Sequence, residues 1–248
     1  MTRTIAIANH KGGVGKTTSV VSLGAALAGA GRRVLLVDLD PQANLTQTLR
    51  VQSEHTIYKA LKGDTILSPV EVTPGMSVIP SEFNLLGWEA GMEGKREPNL
   101  RLRRLLSPLR GFDYILIDTA PSLGLLSVNA FCAASEVFIP MTAQPLALNG
   151  AAYLTEAIGK VRTAANPQLR LSGVFITMYD SRMVIQREMA ERISQAFGPV
   201  AFKTRIRTNV ALTETPMVGQ DIFRYDSKCN GAQDYRALSV EVMEQEKM

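Results

Sequence analysis

The chain has 248 residues, of which 46% are hydrophobic and 20% are charged. This content is enough to build a sizeable core and argues against a disordered chain. The formal net charge of +4 is compatible with a polyanionic partner but does not require one. The two cysteines, Cys132 and Cys229, lie too far apart for a CxxC motif, which excludes that motif and a secreted-type disulfide framework.

The termini and the apolar runs give an expectation about location. The N-terminus lacks the apolar stretch of a signal peptide, and no run approaches the ~18 apolar residues that a membrane span needs. We therefore expect a cytoplasmic protein with one domain over residues 1–248. Because a glycine-rich loop already begins at residue 10, we expect no helix-turn-helix domain before it.

Apolar strand-like runs alternate with helical patterns along the chain. Strands are predicted at residues 4–9, 33–38, 76–80, 114–118, 136–140 and 171–178, and a further strand is expected to carry Arg205 and Arg207 on one face. Helices are predicted at residues 16–30, 99–110, 146–163, 183–197 and 232–245. This alternation, with strands that are apolar almost throughout, predicts a doubly wound α/β fold whose mostly parallel sheet has helices on both faces.

Residues 10–18 read His-Lys-Gly-Gly-Val-Gly-Lys-Thr-Thr and separate the first strand from the first helix. Glycines let backbone N–H groups converge on phosphate oxygens, and the helix N-terminus adds its positive dipole end. We expect Lys16 to contact the β- and γ-phosphates and Thr17 to bind Mg²⁺. The predicted ATP-binding residues are Lys11, Gly12, Gly13, Val14, Gly15, Lys16, Thr17 and Thr18. The usual pattern has a glycine at position 10, where this chain has His10 and then a second lysine, Lys11.

Residues 11–18 resemble the deviant Walker A motif of the ParA/MinD family of P-loop ATPases. Residues 37–44, Val-Asp-Leu-Asp-Pro-Gln-Ala-Asn, resemble its second motif, and residues 117–122, Ile-Asp-Thr-Ala-Pro-Ser, its Walker B segment. Residues 177–182 and 209–216 resemble later segments of ParA proteins. The resemblance covers nearly the whole chain, is closest to the small, Soj-like ParA proteins, and implies ATP and Mg²⁺ as cofactors.

Three aspartates follow predicted strands, and the carboxyl ends of parallel strands line the ligand crevice. We therefore expect Asp38, Asp40 and Asp118 to lie near the phosphate loop, where carboxylates hold Mg²⁺ or orient water. The resemblance implies that Asp40 positions or activates water and that Asp118 is the Walker B carboxylate, near Mg²⁺ through water. Asp38 has two open interpretations, a Mg²⁺ site residue or a strand-end carboxylate bonded to the phosphate-loop backbone.

The resemblance also implies roles for Lys11 and for an adenine pocket. In the family, the lysine at the position of Lys11 reaches the nucleotide of a partner subunit, so that ATP drives formation of a homodimer. Lys11, Lys16 and Asp40 are thus the expected catalytic residues, although Lys11 has the alternative of a solvated surface charge. Met178 and Pro216 fall in segments that flank the base in relatives, or are ordinary core and turn residues.

Residues 182–207 carry an excess of basic side chains, which nonspecific DNA binding requires. The candidate DNA-binding residues are Arg182, Arg187, Lys203, Arg205 and Arg207, with a solvated basic surface as the alternative. Several ParA relatives have an arginine where this chain has Ala211, so the nearby arginines must carry more of any DNA contact. A second basic segment, at residues 101–110, is either a protein-binding surface or a solvated helix face.

The resemblance implies a slow ATPase that is stimulated by a partner. We expect ATP-bound dimers on nucleoid DNA, and a ParB-like or other adaptor that stimulates hydrolysis to segregate DNA or position a protein cargo. The alternative is a MinD-like membrane-associated regulator of cell division, which the acidic segment at residues 239–248 argues against because anionic lipid repels it. An iron–sulfur relative is disfavoured by the cysteine spacing, and nothing points to the acceptor pocket of a small-molecule kinase.

Overall fold

Eight strands form one sheet in the computed structural model, which describes residues 2–92 and 94–247. The strands are β1 Arg3–Ile7, β2 Val34–Leu39, β3 Val70–Thr73, β4 Met76–Ile79, β5 Tyr114–Thr119, β6 Glu136–Thr142, β7 Arg170–Tyr179 and β8 Ala201–Arg207. Their order is β3-β4-β2-β5-β1-β6-β7-β8, and β3 pairs with β4 in the antiparallel sense while every other pair is parallel. The predicted doubly wound α/β fold with a mostly parallel sheet is confirmed.

Ten α-helices are found in the described part of the chain. They are α1 Lys16–Gly29, α2 Asn44–Thr48, α3 Ile57–Lys62, α4 Arg101–Leu106, α5 Leu125–Ala133, α6 Ala147–Ala164, α7 Val184–Phe197, α8 Val210–Val218, α9 Ile222–Asp226 and α10 Asn230–Glu244. Short 3₁₀ helices lie at Phe83–Gly87, Ala90–Met92, Pro98–Leu100, Gly198–Val200 and Gln245–Lys247. None of the described helices combines the length and the apolar character that crossing a membrane requires.

The sheet is buried on both faces because alternate residues of its strands enter two separate cores. In β2, Leu35 and Val37 pack against the core on the side of α3 to α7, whereas Val34 and Leu36 pack against α1 and α10. Because both kinds of position are apolar, the strands read as continuous apolar runs. This double burial is why six of the strands were predictable from the sequence.

The structure shortens one predicted helix and adds elements that the pattern did not predict. The helix predicted over residues 99–110 is an α-helix only at Arg101–Leu106 and follows a 3₁₀ turn at Pro98–Leu100. Pro108 explains its early end, since the residue before a proline is disfavoured in helical conformation. Strand β3 and helices α2, α3, α5, α8 and α9 were not predicted.

The outer edge of β8 is covered by carboxylates from α10. Glu241 accepts hydrogen bonds from the backbone N–H groups of Lys203 and Thr204, both at 2.8 Å. Asp234 accepts a hydrogen bond from the backbone N–H of Arg207 at 2.9 Å. These side chains satisfy donors that an edge strand otherwise presents to solvent.

Candidate nucleotide-binding site

The glycine-rich loop turns from the end of β1 into α1 and leaves open space above it. Gly13 and Gly15 have φ angles of 70° and 81°, a left-handed conformation that glycine adopts without strain. A Cβ atom at Gly12 or Gly13 would meet no heavy atom within 4 Å. Helix α1 begins at Lys16 with no side-chain cap and no acidic residue in its first turn. Its first N–H groups are therefore available to an anion.

Side chains from two other segments hold this loop in place. The Asn9 Oδ1 accepts a hydrogen bond from the Lys11 N–H at 3.0 Å, and the Asn9 Nδ2 donates to the Pro140 carbonyl at 2.7 Å. The Thr177 hydroxyl donates to the Val14 carbonyl at 2.9 Å. Sequence reasoning gave Asn9 and Thr177 no role, although a polar residue that closes an apolar strand directly before the loop was a usable signal for Asn9.

His10 occupies the position where the usual phosphate-loop pattern has a glycine. Its ring lies against Gly150 of α6, where an added Cβ would fall 2.0 Å from the His10 Cε1. No side chain larger than a hydrogen fits at Gly150 while the ring keeps this position. The histidine that replaces the usual glycine at position 10 is therefore accommodated by a glycine, Gly150, in helix α6.

The two lysines of the loop lie in different environments. Lys16 is 7% exposed and its Nζ donates to the Lys11 carbonyl at 3.2 Å. Burial lowers the pKa of Lys16, and the charges of Asp118 and Asp40 oppose this shift. The Lys11 side chain is exposed and its Nζ donates to the Gln144 Oε1 at 2.7 Å. One lysine therefore points into the loop and the other lies across its outer rim.

Asp38 is fully buried and its carboxylate is well supplied with hydrogen-bond donors. It accepts bonds from the Thr46 N–H at 2.9 Å, the Thr46 hydroxyl at 2.6 Å and the Asp40 N–H at 3.3 Å. Burial raises the pKa of Asp38 to about 6, and the bonds from Thr46 oppose the rise. These partners lie after β2 and in α2, so the carboxylate is not bonded to the phosphate-loop backbone as one interpretation expected.

Asp118 is aligned with Asp38 on the neighbouring strand but has no such donors. Both carboxylate oxygens are buried and neither has a hydrogen-bond partner among the described residues. Burial raises the pKa of Asp118 well above its usual range, and the charge of Asp38 adds to this. The Thr17 hydroxyl and Lys16 act in the opposite direction, although Thr17 does not reach hydrogen-bonding geometry.

The groups around Asp118 fit a hydrated divalent cation. A buried, unpartnered carboxylate calls for an additional ligand, and oxygen donors are what Mg²⁺ prefers. Asp40 is 5% exposed, and its Oδ1 accepts the Gln42 N–H at 2.9 Å. The structure thus brings Lys16, Asp38, Asp40 and Asp118 together at the carboxyl edge of the sheet, as their positions after strands predicted.

The residues predicted to flank a base lie at the same edge of the sheet. Met178 is near the end of β7, is 45% exposed and has a φ angle of 52°. Pro216 is exposed within α8, which follows the end of β8. A cavity of about 230 Å³ beside the loop is lined by neither residue, because it opens toward β6 and α6. The adenine pocket stays a prediction.

The predicted DNA-binding residues differ in how free their charges are. Three arginines are held by carboxylates: Arg182 by Asp180, Arg205 by Glu191 and Arg207 by Asp234. The separations are 2.6–2.7 Å, and Arg205 also lies over the Tyr179 ring at 5.0 Å. Hydrogen bonds from Arg182 lower the pKa of Asp180 to about 2. Arg187 and Lys203 are exposed, and Arg187 donates to the Ser181 carbonyl at 2.7 Å.

Comparison with known proteins identifies relatives over the whole chain. A family model described as an AAA domain matches residues 2–171. The chain is 40% identical over 254 residues to the chromosome partitioning protein ParA of Caulobacter vibrioides, covering 99% of this chain and 95% of that protein. It is 39% identical over 247 residues to the chromosome-partitioning ATPase Soj of Treponema pallidum, covering 98% of each.

A solved structure extends the comparison to a bound nucleotide. The protein from Mycobacterium smegmatis described as cobyrinic acid a,c-diamide synthase is 34% identical and superimposes with a TM-score of 0.87. The match covers 100% of this chain and 96% of that one, and the structure contains an ATP analogue and magnesium. The same protein has also been solved with ADP and magnesium.

Proposed function

Because the chain belongs to the ParA/Soj family of partition ATPases, we propose that it is an ATP-dependent switch that dimerises on Mg·ATP and hydrolyses it slowly. This proposal rests on the different environments of the two lysines in one loop. Lys16 is buried and directed into the loop, whereas Lys11 is exposed at its rim. A single lysine is enough to bind phosphate within one chain, so the second is free for another task.

The loop residues 11–18 supply the contacts to the triphosphate. Backbone N–H groups around Gly13 and Gly15 and the first turn of α1 face the phosphates, and Lys16 adds a charge to the β- and γ-phosphates. The Thr17 hydroxyl and Asp118, the latter through water, hold the metal. Bound Mg²⁺ supplies neutralisation of the charge on the transferred phosphoryl group. The M. smegmatis relative with its ATP analogue and magnesium supports these cofactors.

Asp40 orients the attacking water in this proposal. Its carboxylate lies at the end of β2. One carboxylate oxygen accepts the Gln42 N–H, and the other oxygen takes no part in this hydrogen bond. Asp38 is a less suitable metal site residue than Asp118, because three donors already occupy its oxygens. Its hydrogen bonds instead fix the segment that carries Asp40.

Lys11 acts on the nucleotide bound by a second copy of the chain. Within one copy it bonds to Gln144, an exposed residue that follows β6, and this contact is readily exchanged. A lysine that neutralises the γ-phosphate in trans makes dimerisation depend on ATP. An arginine finger similarly supplies a positive charge to a nucleotide bound by another protein. Hydrolysis converts ATP into ADP and inorganic phosphate; when the phosphate leaves, Lys11 loses the anion that it bound and the dimer separates.

The ATP-bound dimer binds DNA without sequence preference and is released when an adaptor, ParB-like or of another kind, stimulates hydrolysis. Arg187 and Lys203 are exposed and carry the first contacts, whereas Arg182, Arg205 and Arg207 must exchange carboxylate partners for phosphates. Two copies on one duplex gain from effective concentration, so a modest patch on each suffices. The resulting position in the cell is on the nucleoid, and the cargo is DNA or a protein assembly.

The test is binding to a random-sequence DNA duplex without nucleotide and with ADP, ATP or a nonhydrolysable analogue, at two salt concentrations. We expect binding with ATP or the analogue only, and weaker binding at the higher salt. Lys11→Ala should abolish it, and Arg187→Ala combined with Lys203→Ala should weaken it several-fold. Lys160→Ala is the matched control, because it removes an exposed lysine of α6 that pairs with Glu156.

Three outcomes separate the parts of the proposal. Equal or absent DNA binding in all nucleotide states removes the DNA-binding part and leaves ATP hydrolysis to be judged by phosphate release. Nucleotide-dependent binding to anionic vesicles instead of DNA supports the MinD-like alternative. A Lys11→Ala protein that still dimerises on ATP in sedimentation contradicts the role of Lys11 in trans.

A further inference from the structure

A second concave surface opens at the opposite edge of the sheet from the phosphate loop. It encloses about 860 Å³ and is lined by the amino ends of β1, β6 and β7 together with α4 and the segment after it. Pockets for small molecules typically enclose about 300–1,000 Å³. Five residues of the basic segment 101–110, to which the nucleotide site gives no role, form one of its walls: Arg103, Leu106, Ser107, Leu109 and Arg110. We refer to this surface as the basal cleft.

Three arginines with available donors line the basal cleft. They are Arg103 in α4, Arg110 just after it, and Arg170 at the start of β7. The Arg103 Nη1 donates to the Ala165 carbonyl at 3.4 Å, and the Arg110 Nη1 donates to the Ser107 carbonyl at 2.6 Å. Within residues 2–92 and 94–247, the Nη2 atoms of Arg103 and Arg110 have no protein acceptor. Backbone carbonyls thus position these guanidinium groups without neutralising them.

The charge of the basal cleft is not balanced by its own acidic residues. Of the described residues that line it, Glu136 alone carries a carboxylate. That carboxylate already accepts two hydrogen bonds from Arg3, at 2.8 and 2.7 Å, while Arg170 stands 3.7 Å away. Glu136 therefore pairs with Arg3 and, more distantly, with Arg170, so the four arginines and one glutamate that line the cleft leave a net excess of three positive charges.

We propose that the basal cleft binds a small molecule that carries two or more phosphate or carboxylate groups. Guanidinium groups bind both kinds of oxyanion through paired N–H donors, and three of them line this cleft, two from residues 101–110 and one from the start of β7. Leu106, Leu109 and Ile115 supply apolar walls against which the body of such a molecule packs. The concave shape suits a compact anion better than a rigid duplex, which needs an extended surface.

The charge distribution along α4 supplies a matched control. Arg104 neighbours Arg103 in sequence but does not line the cleft, and it is paired with Glu97. Arg104→Ala therefore removes one arginine from the same helix without changing the cleft. Arg103→Ala combined with Arg110→Ala removes two of the three available cations while leaving Arg3 and Glu136 in place.

The experiment is calorimetric titration of the full chain with inorganic tripolyphosphate and, separately, with citrate. Both are titrated into wild-type protein, Lys16→Ala, Arg104→Ala and the Arg103→Ala/Arg110→Ala variant. Lys16→Ala identifies binding at the phosphate loop, so the basal cleft is tested independently of the nucleotide site. We expect the basal cleft to bind one equivalent of either anion, with affinity within about twofold of wild type in Lys16→Ala and Arg104→Ala and reduced roughly tenfold or more in the double variant. A second equivalent of tripolyphosphate bound at the phosphate loop should be lost in Lys16→Ala.

Each result bears on the proposal. Binding of tripolyphosphate alone assigns a phosphate ligand, binding of citrate alone assigns a carboxylate ligand, and binding of both supports the shared chemistry. If anion binding is lost in Lys16→Ala and is unchanged in the double variant, the proposal is overturned. It is also overturned if neither anion binds saturably. A double variant that loses affinity for a random-sequence DNA duplex but not for the small anions also overturns it and assigns the cleft to DNA.

Discussion

Asp118 offers a prediction in which stability and activity change in opposite directions. Its carboxylate is fully buried and has no hydrogen-bond partner among the described residues. We expect Asp118→Asn to make the nucleotide-free protein more stable and to abolish ATP hydrolysis. The carboxylate destabilises the nucleotide-free protein because it is buried without a hydrogen-bond donor. Its expected partner is a ligand, the hydrated Mg²⁺.

The size of the effect follows from the burial. A buried polar group without a partner costs about 1–3 kcal/mol, and more when it is charged. In the unfolded chain the Asp118 carboxylate is ionised and hydrated at neutral pH, which is its most favourable state. Folding therefore costs free energy whether the buried group keeps an unpaired charge or takes up a proton. Asparagine keeps the shape but is itself unpartnered, so we expect a gain of about 2 kcal/mol. In a chain of 248 residues this raises the thermal midpoint by roughly 4–8 °C.

The assay is thermal denaturation followed by circular dichroism, with phosphate release measured on the same samples. Asp38→Asn is the control, since Asp38 is equally buried on the adjacent strand but accepts three hydrogen bonds. An amide there must turn its own N–H₂ toward one of those donors, so we expect no gain in stability. Addition of Mg²⁺ and a nonhydrolysable ATP analogue should stabilise wild type more than Asp118→Asn, because the ligand gives the carboxylate a partner.

Two results would refute this reasoning. A midpoint for Asp118→Asn at or below that of wild type would mean that the carboxylate is satisfied in solution. Equal gains from Asp118→Asn and Asp38→Asn would mean that the hydrogen bonds of Asp38 do not offset its burial.

Three further substitutions test other contacts. Glu136→Ala leaves Arg3 partly buried without its carboxylate and should lower the free energy of unfolding by about 3 kcal/mol in urea denaturation; an unchanged midpoint would contradict this. Gly173→Ala places a Cβ 2.4 Å from the Phe202 ring and should cost about 1–3 kcal/mol in the same assay, with no loss if the ring moves freely. Thr177→Val removes the hydrogen bond to the phosphate loop and should raise the KM for ATP several-fold, whereas an unchanged KM would show that the loop does not need this anchor.

Much of the fold was predictable because its strongest signals are local. The central strands are apolar on both faces, and the helices α1, α6, α7 and α10 follow them with clear patterns. Strand β3 was missed because it has four residues, none of them fully buried, at the edge of the sheet. Helix α5 was missed because six of its nine residues are buried, which removes the amphipathic period that identifies a surface helix.

Helix α8 shows how a neighbouring side chain overrides a local rule. Pro216 lies inside it, although proline normally ends a helix. The carbonyl of Leu212, which would otherwise bond to the backbone N–H of residue 216, accepts the Thr215 hydroxyl at 3.2 Å. The sequence contains this compensation but does not reveal it, since it depends on the rotamer that Thr215 adopts.

The location of the candidate site was predictable from the sequence, but the hydrogen-bond partners of its carboxylates were not. The position of Asp38, Asp40 and Asp118 after strands is enough to gather them at one edge. Which carboxylate is satisfied depends on Thr46, which α2 brings to Asp38 from beyond the strand. The neutralisation of the basic surface likewise depends on tertiary contacts, because Asp234 reaches Arg207 from 27 residues away.

The carboxylates along β8 also decide how the protein tolerates crowding. A bare outer strand is a template on which other chains add, and sheets that grow in this way lead to insoluble aggregates. Here Glu241 and Asp234 already accept hydrogen bonds from three N–H groups of that strand, those of Lys203, Thr204 and Arg207, and their negative charge repels the carbonyl oxygens of an approaching backbone. Copies of the protein at high concentration are therefore less able to join their sheets edge to edge through β8.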